Sequence, residues 1–246
     1  MTNAARSRSR TGPLIVIPAF NEAKRVGDVV RDVRHHLPGA DVVVVDDGSA
    51  DTTSFEAQGA GATVLTLPVN LGYGGALQTG YKYAVREGYD VIGQIDADGQ
   101  HRAEHFPGML SELADPDVDV VIGSRFLDRD GHYQPPRARK VGIALFGRLA
   151  SVLTRQRISD PTSGFQVLRA PVAQFFCSDV YPSDYPDADI LIMLNRSGFS
   201  VREVPVQMRP SEGQSMHGGH RSLYYVYKML LSIFVTVLRP RAAGKH

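Results

Sequence analysis

The stretch best equipped for chemistry is Gln94-Ile95-Asp96-Ala97-Asp98-Gly99. The mostly apolar run Val91 to Ile95 reads as a buried strand, and it stops on two carboxylates one residue apart. In an extended backbone residues i and i+2 point the same way, so Asp96 and Asp98 can project together beyond the strand end. Two neighbouring hard oxygen ligands suit Mg2+ or Mn2+ held against a diphosphate. Read alone, the motif is equally an acidic turn, because Asp and Gly are common turn residues. An EF-hand loop fits poorly, since Gly is missing at its sixth position and Pro107 stands where the bidentate Glu belongs.

Such a pair needs elements that gather strand ends. Leu14-Ile17, Val42-Val45, Thr63-Leu67, Val91-Ile95 and Val118-Ile122 are short, β-branched apolar runs. Helical patterns over Glu22-His36, Thr52-Gly59, Gly75-Glu87 and Ala103-Leu113 fall between them. This alternation predicts βαβ units and an α/β fold with a central, mostly parallel sheet. In open α/β sheets ligands bind beyond the carboxyl ends of the strands. The polar clusters stand at those ends: Pro18-Ala19-Phe20-Asn21-Glu22, Asp46-Asp47-Gly48-Ser49, Asp96-Ala97-Asp98 and Gly123-Ser124-Arg125. Beyond residue 130 the pattern loosens into a helix over Arg139-Thr154, a turn at Asp160-Gly164, a helix over Asp187-Arg196 and an extended Phe199-Met208.

The 246 residues, 43% hydrophobic and 22% charged, suit one substantial α/β domain, read here as 13–221. A basic tail (1–12), an apolar helix (222–239) and a short tail (240–246) flank it. A formal net charge of +1 gives no bulk electrostatic case for nucleic acid. The single Cys177, after Phe175-Phe176, excludes an internal disulfide and reads as a small core hydrophobe. The first eleven residues hold Arg6, Arg8 and Arg10 but no apolar stretch of the kind a secretory signal needs.

Taken together, Pro18-Ala19-Phe20-Asn21-Glu22, Val45-Asp46-Asp47-Gly48-Ser49, Asn70-Leu71-Gly72, Asp96-Ala97-Asp98 and Gly123-Ser124-Arg125 resemble the family-2 glycosyltransferases of the GT-A fold. Their order and spacing are most similar to the dolichyl-phosphate mannose synthase and polyprenyl-phosphate glycosyltransferase branch. The resemblance spans roughly Leu14 to Arg239 and implies inverting, metal-dependent transfer of a sugar from a GDP- or UDP-sugar. It implies that Pro18, Phe20, Glu22 and Asp47 line the nucleoside pocket with Asp46 close by. It implies that Asp96 and Asp98 share Mg2+ or Mn2+, that Gln100 joins them, and that His101 follows the branch pattern. Asn70-Leu71-Gly72-Tyr73-Gly74-Gly75 lacks the Lys-Ser/Thr ending of a P-loop and the third Rossmann Gly, and reads as a turn packed beside the donor.

Arginine offers a planar, permanently charged fork for phosphate oxygens. Arg125, directly after a buried strand, is the first candidate, with Arg137 and Arg139 beside it. Arg209 precedes Pro210-Ser215, which resembles the acceptor lid of the family. Transfer to an alcohol calls for a general base, whereas a phosphate monoester, with a second pKa of about 6, is already mostly dianionic at neutral pH. Asp184, Asp187 and Asp189 are the base candidates, Asp187 foremost, in a stretch where relatives often carry Glu. The implied partners are a nucleotide-sugar donor and a lipid-phosphate acceptor; a hydroxyl acceptor on a saccharide is the alternative.

Leu223 to Leu238 is almost continuously apolar. As a helix its length is about 24 Å, short of the roughly 30 Å hydrocarbon core. Tyr224, Tyr225 and Tyr227 at its start and Arg239 and Arg241 at its end resemble interfacial anchors. Two readings stand: a core helix, or a monotopic helix on the cytoplasmic face of the membrane, touching lipid or a small membrane protein.

Overall fold

The computed structural model describes residues 12–127, 137–179, 181–182, 186–209 and 220–238, with backbone only at 137–139 and 220–225. The Met1–Thr11 tail, the Arg137 and Arg139 side chains, Asp184, Pro210–Ser215, Arg239 and Arg241 lie outside this description.

Seven strands form one sheet: β1 (Leu14–Ala19), β2 (Asp41–Asp46), β3 (Thr63–Thr66), β4 (Val91–Gln94), β5 (Val120–Ser124), β6 (Gln166–Arg169) and β7 (Val201–Pro205). Their spatial order is β3-β2-β1-β4-β6-β5-β7. All neighbours are parallel except β6, which runs antiparallel to both β4 and β5. The helices are α1 (Val26–His36), α2 (Thr53–Gly59), α3 (Tyr73–Glu87), α4 (Phe106–Leu113), α5 (Arg137–Thr154), α6 (Ala170–Phe176), α7 (Ala188–Arg196) and α8 (His220–Leu238).

The sheet is buried on both faces, which is why its central strands read as unbroken apolar runs. Along β1, Leu14 and Val16 join a core with Leu77, Tyr81 and Ala84 of α3. The alternate residues Ile15 and Ile17 join a second core with Val29 and Val33 of α1 and Phe106 and Met109 of α4. Gly80 lets α3 approach β1 closely, since a Cβ there would stand 2.3 Å from Val16 Cγ1.

Two differences from the sequence reading have local causes. The first helix begins at Val26 and not at Glu22. Asn21 adopts a left-handed φ of 56°, its N–H binds Ser49 Oγ at 2.8 Å, and the Glu22 N–H binds Thr53 Oγ1 at 2.9 Å. These ties hold the chain in a turn before the helix can start. The second difference is β6, which the sequence reading passed over. Its apolar stretch is only Val167-Leu168 between Gln166 and Arg169, and its two partners are remote in sequence.

Candidate active site

The carboxyl ends of β1, β2 and β4 open on one edge of the sheet, and the polar clusters meet there. Phe20, just past β1, is 48% exposed, an aromatic face offered to whatever occupies the cleft. Glu22 bonds Arg25 at 2.8 Å. Burial raises the Glu22 pKa against that arginine, and the charge of Asp98 pushes it the same way. The ends of β1 and β4 therefore feel each other electrostatically.

Asp46 and Asp47 are both 3% exposed and are engaged by the chain itself. Asp46 Oδ1 accepts the Ser49 N–H at 2.9 Å, and its Oδ2 accepts the Ser54 hydroxyl. Asp47 accepts the N–H groups of Leu71 and Gly72 at 2.7 and 2.9 Å, fixing the turn that opens α3. The expectation for Asp46 is corrected accordingly: both its oxygens hold the turn after β2, so it shapes the cleft wall from behind.

Past Gln94, Ile95 still pairs with β1 through its N–H to Val16 O at 3.2 Å, and the chain then turns with Asp96 in the cleft. Asp96 keeps 28% of its side chain exposed. Its pKa is raised to about 6, first by burial and then by the Asp98 charge, against the lowering effect of the Tyr73 hydroxyl. Asp98 accepts the Gln100 backbone N–H at 2.9 Å and its side-chain amide at 2.6 Å. His101 is buried, stacks on Phe165 at 5.0 Å and places Nε2 3.9 Å from Asp96 Oδ2. Burial, then the Arg125 charge, lowers its pKa to about 3, so its ring is neutral, and its buried Nδ1 has no hydrogen-bond partner.

This donor set suits Mg2+ or Mn2+. Two crowded carboxylates, one raised in pKa by burial and its neighbour, would be relieved by a cation, while Gln100 turns its amide nitrogen to Asp98 Oδ2. Among the described residues no group of three His, Cys, Asp or Glu side chains converges on one point. The set is an open one that a diphosphate would complete, the usual manner of Mg2+ binding.

Arg125 requires a correction. It was expected at phosphate, but Nε and Nη2 bond the two Asp160 oxygens at 2.6 Å each, and Nη2 also reaches Thr162 O and Oγ1. The pair is sealed, with side chains 4% and 0% exposed. Arg125 therefore clamps the loop before β6 in place of presenting its fork to solvent. That loop delivers Gly164 against the Asp96–Asp98 turn, where a Cβ would fall 2.9 Å from Asp96 Oδ2. Tyr73, Gln94, Asp160 and Gly164 are thus site residues that the sequence reading missed. One signal was available, a glutamine closing the otherwise apolar run of β4.

Asp187 stands at the N-cap of α7 and is half-buried. Asp189 is a joint: its Oδ1 accepts the N–H groups of Asp187 and Ile190, and its Oδ2 accepts the Ser232 hydroxyl of α8. Its burial and these partners remove it from the base candidates. Arg209 lies over the metal loop, donating its backbone N–H to Gln100 O at 2.8 Å and pairing with Asp32 at 3.1 Å.

The architecture is that of GT-A glycosyltransferases. Glucosyl-3-phosphoglycerate synthase from Mycobacterium tuberculosis, solved with Mn2+, UDP and glucosyl-3-phosphoglycerate, superposes with a TM-score of 0.65 at 19% identity, covering 92% of this chain and 78% of that one. The sequence pattern of glycosyl transferase family 2 matches residues 14–176. An undecaprenyl-phosphate mannosyltransferase of Micrococcus luteus is 32% identical over 84% of this chain and 88% of its own length. A polyprenol monophosphomannose synthase of Mycolicibacterium smegmatis is 30% identical over 81% of this chain and 78% of its own. The chain belongs to glycosyltransferase family 2.

Proposed function

We propose that this enzyme transfers a sugar, with inversion, from a GDP- or UDP-sugar to a polyprenyl phosphate, assisted by Mg2+ or Mn2+ at the Asp96–Asp98 pair. The observation that carries the reading is the pair itself, crowded beyond β4 and in electrostatic reach of Glu22. The lipid-phosphate acceptor is supported by the names of the Micrococcus and Mycolicibacterium relatives.

When bound, the cation offsets the charge that gathers on the departing diphosphate. The chain supplies the rest. Phe20 and Glu22 face the nucleoside, aided by the backbone that Asp46 and Asp47 hold. Gln100 keeps Asp98 oriented. A phosphate dianion attacks without surrendering a proton, so no side chain need act as base, Asp187 included. Neutral His101 can accompany the reaction without adding a second cation. Turnover takes place at the cytoplasmic face of the membrane, with α8 against the lipid.

The test is to incubate the full chain with UDP- and GDP-sugars and polyprenyl phosphate and to identify products by mass spectrometry. A glycosylated lipid phosphate that disappears with EDTA and returns with Mn2+ is the expected result. Glycosylation of a saccharide but never of the lipid would move the acceptor to a hydroxyl.

A further inference from the structure

Behind Asp96 lies a row of polar side chains that the proposed reaction does not use. The Tyr181 ring packs edge-on against that of Tyr81, their centroids 5.8 Å apart. Tyr81 donates to Gln94 Oε1 at 2.5 Å, Gln94 Nε2 donates to the Tyr73 hydroxyl at 3.0 Å, and Tyr73 donates to Asp96 Oδ1 at 2.7 Å. A side-chain amide has fixed polarity, an accepting oxygen and a donating nitrogen. Gln94 therefore sets the sense of the row. Because it gives a hydrogen to the Tyr73 oxygen, the hydrogen of Tyr73 is left for the carboxylate.

Such a row is costly to bury unless every member is satisfied, and satisfied members polarise one another. Tyr81 of α3 and Gln94 of β4 are 1% and 2% exposed. The row ends on one oxygen of Asp96 only. The other oxygen, Oδ2, lies 3.9 Å from His101 Nε2. Gly164 packs against both oxygens alike, for a Cβ there would stand 2.7 Å from the Tyr73 hydroxyl, 2.9 Å from Oδ2 and 3.0 Å from Oδ1, so it is the Tyr73 hydrogen bond that tells them apart. The two oxygens of Asp96 are thus chemically distinct before any ligand arrives.

We infer that Tyr73 is a positioning residue for the divalent cation: as the last donor of the Tyr81–Gln94–Tyr73 relay it occupies Asp96 Oδ1 and leaves Oδ2 as the oxygen offered to the metal. The inference rests on Asp96 and Asp98 being the metal pair. Carboxylate ligands are commonly hydrogen-bonded from behind, and removing such a partner typically costs about 10- to 100-fold in metal affinity. Phenylalanine at 73 preserves the ring and deletes the hydroxyl, which is both the donor to Asp96 and the acceptor of Gln94 Nε2.

The experiment is a Mn2+ titration of the full chain, followed by the EPR signal of free Mn2+, on the wild type, Tyr73→Phe and Asp96→Asn. Tyr73→Phe is expected to weaken Mn2+ binding about 10-fold or more. In transfer assays it should raise the half-saturating Mn2+ concentration while kcat at saturating metal largely recovers. A purely structural tyrosine would lower thermal stability without moving Mn2+ affinity. If Asp96→Asn loses Mn2+ while Tyr73→Phe binds it as the wild type does, the relay is overturned and the metal pair stands. If Asp96→Asn also binds normally, the metal assignment itself fails. Should Tyr73→Phe not fold, Gln94→Met, which removes the amide hydrogen given to the Tyr73 oxygen, takes its place; wild-type Mn2+ affinity in that variant overturns the inference.

Discussion

Asp98 and Asp96 are held by different means, and their substitutions should report different things. The hydrogen bonds of Asp98 run to Gln100 in its own loop, so Asp98→Ala should remove the proposed ligand with little effect on the fold. Turnover is expected to fall by about three orders of magnitude, a loss of roughly 4 kcal/mol of transition-state stabilisation, with an unchanged circular dichroism spectrum. Near-wild-type transfer by a folded Asp98→Ala would discard the metal role. Asp96 offers a pH test. Its pKa is about 6 when folded against an ordinary 3.8, so without a cation the protein loses stability as pH rises from about 4 through 6. A cation favours the ionised form, so the rise in Tm produced by Mn2+ should grow as pH climbs through about 6 and fade by pH 5. A Mn2+ effect equal at pH 5 and pH 8 would contradict the raised pKa. At this scale the motif residues were legible because carboxylates at a strand end announce themselves. Tyr73 and Gly164 were not, since their importance lies in contacts with residues far along the chain.

Between residues and whole molecule stands the loop that leads into β6. Its anchor, Arg125 to Asp160, lies in the interior, and breaking such a pair by removing one partner leaves a buried charge uncompensated. Asp160→Ala is therefore expected to cost about 3–5 kcal/mol, read from urea denaturation. It should also impair transfer through the displaced Gly164, although Asp160 touches no substrate. A loss below about 1 kcal/mol would mean the loop is held by other contacts, such as the Glu203 carboxylate on the Ser159 and Asp160 N–H groups. The same pair explains a misreading. An arginine directly after a buried strand invites a ligand role, and only the fold shows that its partner waits 35 residues downstream. The five strands and the helices between them were readable because each carries its own local pattern of apolar residues. β6 and α6 were not, because β6 holds only two apolar residues between Gln166 and Arg169 and α6 follows it with no intervening turn signal.

For the molecule as a whole, α8 is the outermost feature. Met229 and Ile233 pack inward, while Tyr227, Leu230, Leu231, Phe234, Val235 and Leu238 remain exposed along the opposite side. Among the described residues no helix is long and apolar enough to cross a membrane. A row of large apolar side chains followed in sequence by Arg239 and Arg241 suits a helix lying in the interface of an anionic bilayer. Flotation with anionic liposomes should carry the full chain and lose it on replacement of Leu231, Phe234 and Leu238 by serine. Flotation unaffected by those changes, or absent in the wild type, would remove α8 as the contact. Met229 and Ile233 stay in place in that variant, and so does the Ser232 tie to Asp189, so the body of the enzyme should be undisturbed.

The antiparallel course of β6 also bears on how the protein is made. β4 and β5 meet only through β6, which is translated some 40 residues after the end of β5. Until it leaves the ribosome, β4 has a bare flank and the loop carrying Gly164 does not exist. A nascent chain can assemble β1, β2, β3 and β4 early, because all four strands are made before β5 and pair with one another without it. The catalytic corner must wait for a late, non-local insertion, the kind of step that folds slowly and leaves strand edges open to aggregation. Pausing or truncating synthesis between residues 125 and 169 should therefore yield a nascent chain that is sensitive to protease and that chaperones retain.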